Sequence, residues 1–347
     1  VKWAPAIKRF LVMVAVLVAA LFITLLAFRL PIQGSLQLLF EGAFGDRFGW
    51  SRTAVKATPL LLTGLGMVVA WRGGVYNIGG EGQFIVGGLA GAWLAQYIPS
   101  TTSHSLAPVF QISILLACMS GGAFWAWIAG WLYVKRGVEV VIGTILLNFV
   151  AIQILGWAAS GPLQEKAHEV PLTEQLPDWL MLPKWDRQMD LHLGVVVALF
   201  AAVCVYVFLF RTKAGFLLRL VGDSNRAARA NRIDAGSIQI RTMLISGALC
   251  GLAGGIEYTG MAGQLGAGFS QQWGFLGIPV ALLGGLHPLA VIASAFYFGA
   301  LFAGSENLAR YTDAGTTLIY VIQAVAVLAY VGVQAARQRQ PAVREDT

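Results

Sequence analysis

Asn77, Glu81 and Gln83 are the residues whose types and spacing most suggest chemistry. They belong to the stretch Arg72-Gly73-Gly74-Val75-Tyr76-Asn77-Ile78-Gly79-Gly80-Glu81-Gly82-Gln83, which interrupts a long apolar region. Two amides and a carboxylate on one short segment can hydrogen-bond a polar solute. Five glycines in these twelve residues argue against a regular helix here. A carboxylate at the centre of a bilayer costs about 2.5–3.5 kcal/mol on insertion scales, so Glu81 needs a partner or water. Two readings are open. The three side chains can line a polar cavity in irregular backbone and touch a solute. Alternatively the segment is a tight cytoplasmic turn, with Glu81 paired to Arg72 or capping the next helix through its free N–H groups. Asn148 and Gln323 each lie about ten residues into a later apolar run. Either amide can hold a polar solute, or tie two helices together, which is the commoner use.

No further catalytic set accompanies these residues. No lysine follows a glycine, so the G-x-x-x-x-G-K-[ST] phosphate loop is absent. His104, His168, His192 and His287 fall in turns or at span ends without metal-ligand spacing, and there is no H-E-x-x-H. Cys118, Cys204 and Cys250 sit in apolar runs and read as small hydrophobes. Trp125, Trp127 and Trp131 read as packing or an interfacial belt. Acids that could relay ions across a membrane are few: Glu139 and Glu257 near span ends, and Glu81 in the glycine-rich break. These observations argue against nucleotide hydrolysis, metal catalysis or an intramembrane enzyme. An ion-coupled carrier working through Glu81 is the alternative to a transport subunit powered by a separate protein.

The elements that position these residues are membrane helices. Hydrophobic residues make up 57% of the 347, charged residues only 12%, and the mean hydropathy is +0.69. The chain is read as a single all-α polytopic membrane domain over residues 1–347. About ten spans are expected, over 10–28, 55–71, 84–98, 109–134, 138–158, 193–210, 242–261, 274–286, 289–304 and 314–334. The apolar run 10–28 lacks a small-x-small cleavage site at Ala27-Phe28-Arg29 and is read as a retained span. The segment 274–286 is short for a span unless it begins in the preceding Gly/Gln/Ser-rich turn. Residues 211–241 form the longest polar interruption and carry seven basic residues, which places them in the cytoplasm. Both termini are then cytoplasmic, and 16 of the 24 lysines and arginines fall inside, which explains the +7 charge without nucleic acid. Spans two and seven run in opposite directions, and each is followed by a glycine-rich interruption. Interruptions in corresponding positions point to an inverted repeat with a pathway at its interface.

The 211–241 loop has a pattern of its own. Asp223 or Ser224 can cap a short helix, Ala227, Ala228 and Ala230 favour it, and Gly236 can end it. Arg226, Arg229 and Arg232 give it a basic rim. Its small face suits a groove on a partner protein; the plainer reading is a solvated loop that only sets topology.

At these residues the chain resembles a known family. Thr58-Pro59-Leu60 through Gly64-Leu65-Gly66, the Asn77-Ile78-Gly79-Gly80-Glu81-Gly82-Gln83 string, Gly222 to Ile233 with Ala227-Ala228, Gly251-Leu252-Ala253-Gly254-Gly255, and Gly277-Ile278-Pro279-Val280-Ala281 are similar to permease subunits of ABC importers for nucleosides and simple sugars. These belong to the branched-chain amino acid/ribose permease family, and the likeness covers roughly Ala57 to Gly304. It implies a transmembrane permease of the bacterial inner membrane that moves nucleosides, or ribose-type sugars, by alternating access. It implies a separate ATPase that holds ATP and Mg, this chain binding no cofactor itself. That ATPase would dock at Arg219, Gly222, Asn225, Ala227, Ala228 and Ile233. A second permease or second copy, and an extracytoplasmic binding (lipo)protein, complete the implied assembly. Two positions depart from the family pattern: Arg232 stands where glycine is usual before Ile233, and Ser224-Asn225 replaces Asn-Pro.

Overall fold

The structure is a computed structural model and describes residues 19, 22–99, 104–186, 188–311, 321, 324, 325 and 328. Most of the expected spans 314–334 and 10–28, both termini and Gln323 lie outside the described residues. The chain divides into two compact units, one of residues 1–53 and 300–347, the other of residues 54–299.

In the first unit, α1 (Ile32–Phe40) runs into a π turn at Glu41–Gly45. Leu25, Leu39 and Leu308 form its small core. The Asn307 amide donates to the Leu38 carbonyl at 2.9 Å. Asp46 accepts from the Gly49 amide at 2.6 Å and so starts the next helix, α2 (Arg47–Arg72).

The second unit contains α3 (Gly80–Ala95), α4 (Ala107–Arg136), α5 (Val140–Ala159), α6 (Gly194–Arg211), α7 (Lys213–Asp223), α8 (Asn225–Ala230), α9 (Ala235–Glu257) and α10 (Trp273–Leu283). It also holds most of α2 and the first half of α11 (Pro288–Tyr311). Among the described residues six helices are long and apolar enough to cross a membrane: α2, α4, α5, α6, α9 with its π-turn extension to Ala262, and α11. The chain is a multi-pass helical membrane protein. The apolar window of α2 is 89% buried, whereas those of α4, α5 and α6 are each 28% buried. α2 is therefore a buried helix, and α4–α6 present Phe124, Leu146, Phe149 and Phe200 outward.

Several helix limits differ from the sequence expectation. The helix that holds the second span begins at Arg47, eight residues before 55, because Asp46 caps it there. α3 starts at Gly80, so only residues 73–79 are irregular; Gly80 and Gly82 are helical and serve close packing instead of breaking the chain. α10 has 11 residues, a rise of about 16 Å and half a bilayer core. In the 211–241 region Gly236 ends nothing, since it lies inside α9. Instead α8 stops at Ala230, where Arg232 takes φ +57° and the Ile233 amide closes on the Ala228 carbonyl at 3.0 Å. Asp234 then caps α9 through the Ser237 amide at 3.1 Å.

Candidate functional site

The two short helices, α3 and α10, meet N-terminus to N-terminus. A Cβ placed on Gly274 would collide with the backbone of Gly80 and Glu81, so glycine is required at this contact. The positive ends of two helix dipoles would repel here. The Glu81 carboxylate sits between them. It accepts from the Ser270 hydroxyl and, at 3.0 Å, from the first-turn amide of Gly274 in α10. Glu81 is 2% exposed. It does not pair with Arg72, whose Nε donates to the Leu286 carbonyl at 2.9 Å. Nor does it cap its own helix: it binds the opposite one.

Each short helix also packs on a long helix distant in sequence. α3 lies on α9, with Gly87 against Gly251 and Gly254 against the Phe84 backbone. α10 lies on α2, where the Thr63 hydroxyl meets the Trp273 carbonyl at 3.1 Å and Gly277 abuts Thr63. Small residues permit these close approaches. The Thr63 hydroxyl also lies 2.8 Å from the Pro59 carbonyl one turn earlier, so its single proton is shared between the Pro59 and Trp273 carbonyls.

Asn77, Gln83 and Asn148 are brought together beside this junction, and all three are buried. Asn77 Nδ2 donates to Gln83 Oε1 at 3.0 Å and to Ser246 Oγ at 2.9 Å. Asn77 Oδ1 accepts from the Gly79 amide at 2.8 Å and from Gln83 Nε2 at 3.1 Å. Asn148 accepts from the Gly82 amide at 2.8 Å and donates to the Ile78 carbonyl at 2.9 Å. The three amides thus satisfy the irregular backbone between α2 and α3. Trp125, expected as packing, donates to the Leu147 carbonyl at 3.3 Å next to Asn148.

The residues expected to dock the ATPase divide by their contacts. Arg219 donates from Nε to the Leu209 carbonyl at 3.1 Å and its guanidinium covers the Phe210 ring at 4.9 Å, fixing α7 to α6. Gly222 packs against the Arg72 carbonyl, and a Cβ there would lie 2.8 Å from the Gly74 nitrogen. Gly74 itself has φ +72°. The end of α7 therefore touches the start of the 73–79 break. The small face of α8 does not point outward: Ala228 is 0% exposed and packs with Val221, Ala235 and Ile233. Asn225 and Ala227 are half-buried; Asp223, Ser224, Arg226, Asn231 and Arg232 are exposed. Ser224 caps α8 through the Ala227 amide at 3.1 Å.

Beyond the junction lies a cavity of about 360 Å³, lined by Lys56, Leu172, Glu257, Gln264, Phe269 and Gln271 among others. Lys56 and Glu257 are half-buried electrostatic neighbours. The Lys56 ammonium also stands 5.8 Å from the centre of the Trp273 ring. The sequence reading missed this set. It placed Lys56 at the start of the span 55–71 and Glu257 near a span end, and only the Gly/Gln/Ser-rich composition of 262–273 marked the segment. The 160–192 connection folds over the same segment. Thr173 N bonds Leu265 O at 2.9 Å, Leu176 N bonds Gly263 O at 2.9 Å and Leu182 N bonds Thr259 O at 2.8 Å. At its base His192 is 1% exposed and accepts from the Gly194 amide at 3.1 Å. Burial, with Lys184 second, lowers its pKa to about 4 against the opposing pull of Asp190.

Long apolar helices around two shorter helices that meet N-terminus to N-terminus fit a membrane transport protein. The family model for the permease component of branched-chain amino acid transport systems matches residues 49–333, and the chain belongs to this family. It is 32% identical over 301 residues to a glucose ABC transporter permease protein of Haloferax volcanii, covering 84% of this chain and 78% of that one. It is 32% identical over 302 residues to a guanosine ABC transporter permease protein of Bacillus subtilis, covering 84% and 83%. A nucleoside ABC transporter permease protein of Lactococcus lactis is 28% identical over 281 residues, covering 78% and 76%. No solved structure matches the chain. The chain is a permease subunit of an ABC transporter, not an enzyme; ATP hydrolysis belongs to a separate subunit.

Proposed function

We propose that this permease imports nucleosides across a bacterial inner membrane by alternating access. Residues 211–241 face the cytoplasm and receive the ATPase, which holds ATP and Mg; this chain binds no cofactor. A second permease, or a second copy, completes the pore, and an extracytoplasmic binding (lipo)protein delivers the solute. Ten spans with both ends inside and an inverted repeat complete the reading. The repeat is supported by α2 and α9 each being followed by an interruption and a helix shorter than the six long ones.

The observation that carries the reading is the contact of Gly222 with Arg72 and Gly74. It supports a mechanical route from the ATPase-facing helices to the break at 73–79. From there the route continues through Glu81 to Ser270 and Gly274. Asn77, Glu81, Gln83 and Asn148 are then pathway residues that shape and move the gate, with Gln323 a further pathway residue. Arg219, Gly222, Ala228 and Ile233 hold the coupling segment in place. Asn225, Ala227 and their exposed neighbours meet the ATPase. Two of the three relatives described above are named for guanosine or nucleosides, which favours that solute. The glucose relative supports simple sugars as the second reading.

The test is uptake of labelled guanosine, adenosine and glucose into proteoliposomes holding this chain, its partner permease, the ATPase and the binding protein. ATP-dependent nucleoside uptake is expected. Uptake of glucose alone would move the solute class. Uptake by this chain alone on a proton or sodium gradient would overturn the reading.

A further inference from the structure

We propose that the cavity formed by Lys56, Glu257, Gln264 and Gln271 is the permease's own solute site, with Glu257 holding the ribose diol of a nucleoside and the two glutamines reading its base. This rests on the importer reading above. Four observations carry it.

The first is contrast with the surroundings. α2 and α9 are long apolar helices, yet each turns one charged residue into the same cavity, whose volume of about 360 Å³ is within the usual range for small-molecule sites. The second is hydrogen-bonding capacity. Asn77 and Asn148 use their amides on neighbouring groups, whereas no hydrogen bond within the described residues engages the side-chain amides of Gln264 and Gln271, which line an open volume. The third is backbone geometry. Gln271 and Gln272 hold left-handed φ values of +42° and +64°, costly for residues with side chains. They are held there by the Trp273 amide on the Ser270 carbonyl at 2.8 Å and by the Ser270 bond to Glu81. The loop is thereby tied to the junction that the gate must move.

The fourth is the chemistry of the donors. The Glu257 carboxylate takes a hydrogen bond from the Trp273 side chain and keeps further lone pairs, enough to accept from two adjacent hydroxyls at once. A glutamine carboxamide offers a donor and an acceptor side by side, which matches the edge of a purine. Lys56 balances the charge of Glu257, so the site suits a neutral solute. Phe269, fixed against Phe84 at 5.3 Å between ring centres, supplies an apolar wall. α2 reaches Arg72 16 residues after Lys56, a rise of about 24 Å, which sets the site toward the outer end of the path.

The test uses the reconstituted complex and 8-azidoadenosine as a photolabel, with adducts mapped by peptide mass spectrometry. Adducts on the Gln264–Gln271 segment or next to Lys56 are expected, with protection by unlabelled adenosine. Glu257→Gln and Gln271→Ala are expected to lower the maximal rate of ATP-dependent uptake about tenfold at saturating binding protein. Gln271 is exposed on its loop, so that variant carries the test if Glu257→Gln fails to assemble. Adducts confined to other segments, or a Gln271→Ala complex with wild-type rate and labelling, would overturn the proposal while wild-type uptake continues. Protection by glucose and not adenosine would overturn the nucleoside assignment. A wild-type complex that takes up no solute with ATP would instead sink the importer reading itself.

Discussion

Two polar regions lie inside this otherwise apolar protein, and they are built differently. Around Asn77, the side-chain amides of Asn77, Gln83 and Asn148 bond to one another, to Ser246 or to the backbone of residues 78–82. Around Lys56 and Glu257, half-buried groups face an open volume. Buried polar groups cost free energy unless they are paired. The first region therefore stabilises an irregular chain segment; in the second, Glu257 is partnered by Lys56 and Trp273, while no hydrogen bond within the described residues engages the side-chain amides of Gln264 and Gln271. Glu81 joins the two, since its partners Ser270 and Gly274 border the open region.

The comparison can be broken in several ways. Glu81→Ala has the largest expected effect, because it strands the Ser270 hydroxyl and the Gly274 amide and leaves two helix N-termini unshielded. A loss of about 2–6 kcal/mol is expected, one to three per stranded donor, read as a fall in Tm of the detergent-solubilised permease. Glu81→Gln keeps an acceptor and should lose less than half as much stability while impairing transport; equal Tm losses would show that Glu81 is no latch. Gly222→Val forces α7 away from the 73–79 turn. The assembled complex is expected to keep its ATPase subunit and to lose at least about tenfold in uptake, an energetic change of about 1.4 kcal/mol. Retained uptake would break the proposed route between the coupling segment and the gate.

A smaller effect concerns His192. Its pKa in the folded protein, about 4, lies below the usual 6.5, so the unfolded chain takes up its proton first as the pH falls. The stability tied to the neutral ring is present above pH 6.5 and is lost between 6.5 and about 4. A Tm–pH profile should show this loss, and His192→Asn should flatten it. The smallest effect is a gain. Arg232 occupies a left-handed position, so Arg232→Gly is expected to add about 1 kcal/mol and slow proteolysis within 211–241. Faster cleavage of that variant would contradict the strain.

Much of this was legible in the sequence. Apolar runs marked the helices, and the glycine-rich stretch marked the first break at 73–79. The clustering of basic residues marked the segment that became α7 and α8. The resemblance of Asn77–Gln83 and Gly222–Ile233 to a permease family pointed to the family that the comparison later identified. What composition could not convey was who meets whom. Glu81 finds its partners 189 and 193 residues away, in a stretch whose sequence shows only small and polar residues. Lys56, at the start of the span 55–71, showed no partner because a single charge near a span end carries no sign of which helix faces it. Ala228 looked like a docking face because alanine suits both an outward small surface and a tight internal contact; the cluster with Val221 and Ala235 decides for the latter. In the sequence Arg232 shows only as a departure from the family's glycine; its positive φ shows why glycine suits that position.

The most direct measurement compares Asn148→Ala with Gln271→Ala in one preparation, taking Tm of the permease and the extent of 8-azidoadenosine labelling together. The account predicts opposite patterns. Asn148→Ala should lower stability by about 1–3 kcal/mol, through the stranded Gly82 amide and Ile78 carbonyl, while the surviving protein labels as wild type. Gln271→Ala should keep the wild-type Tm and lose labelling. The same pattern in both variants, or the reverse of the one expected, would contradict the division between a region that builds the pathway and a region that binds the solute.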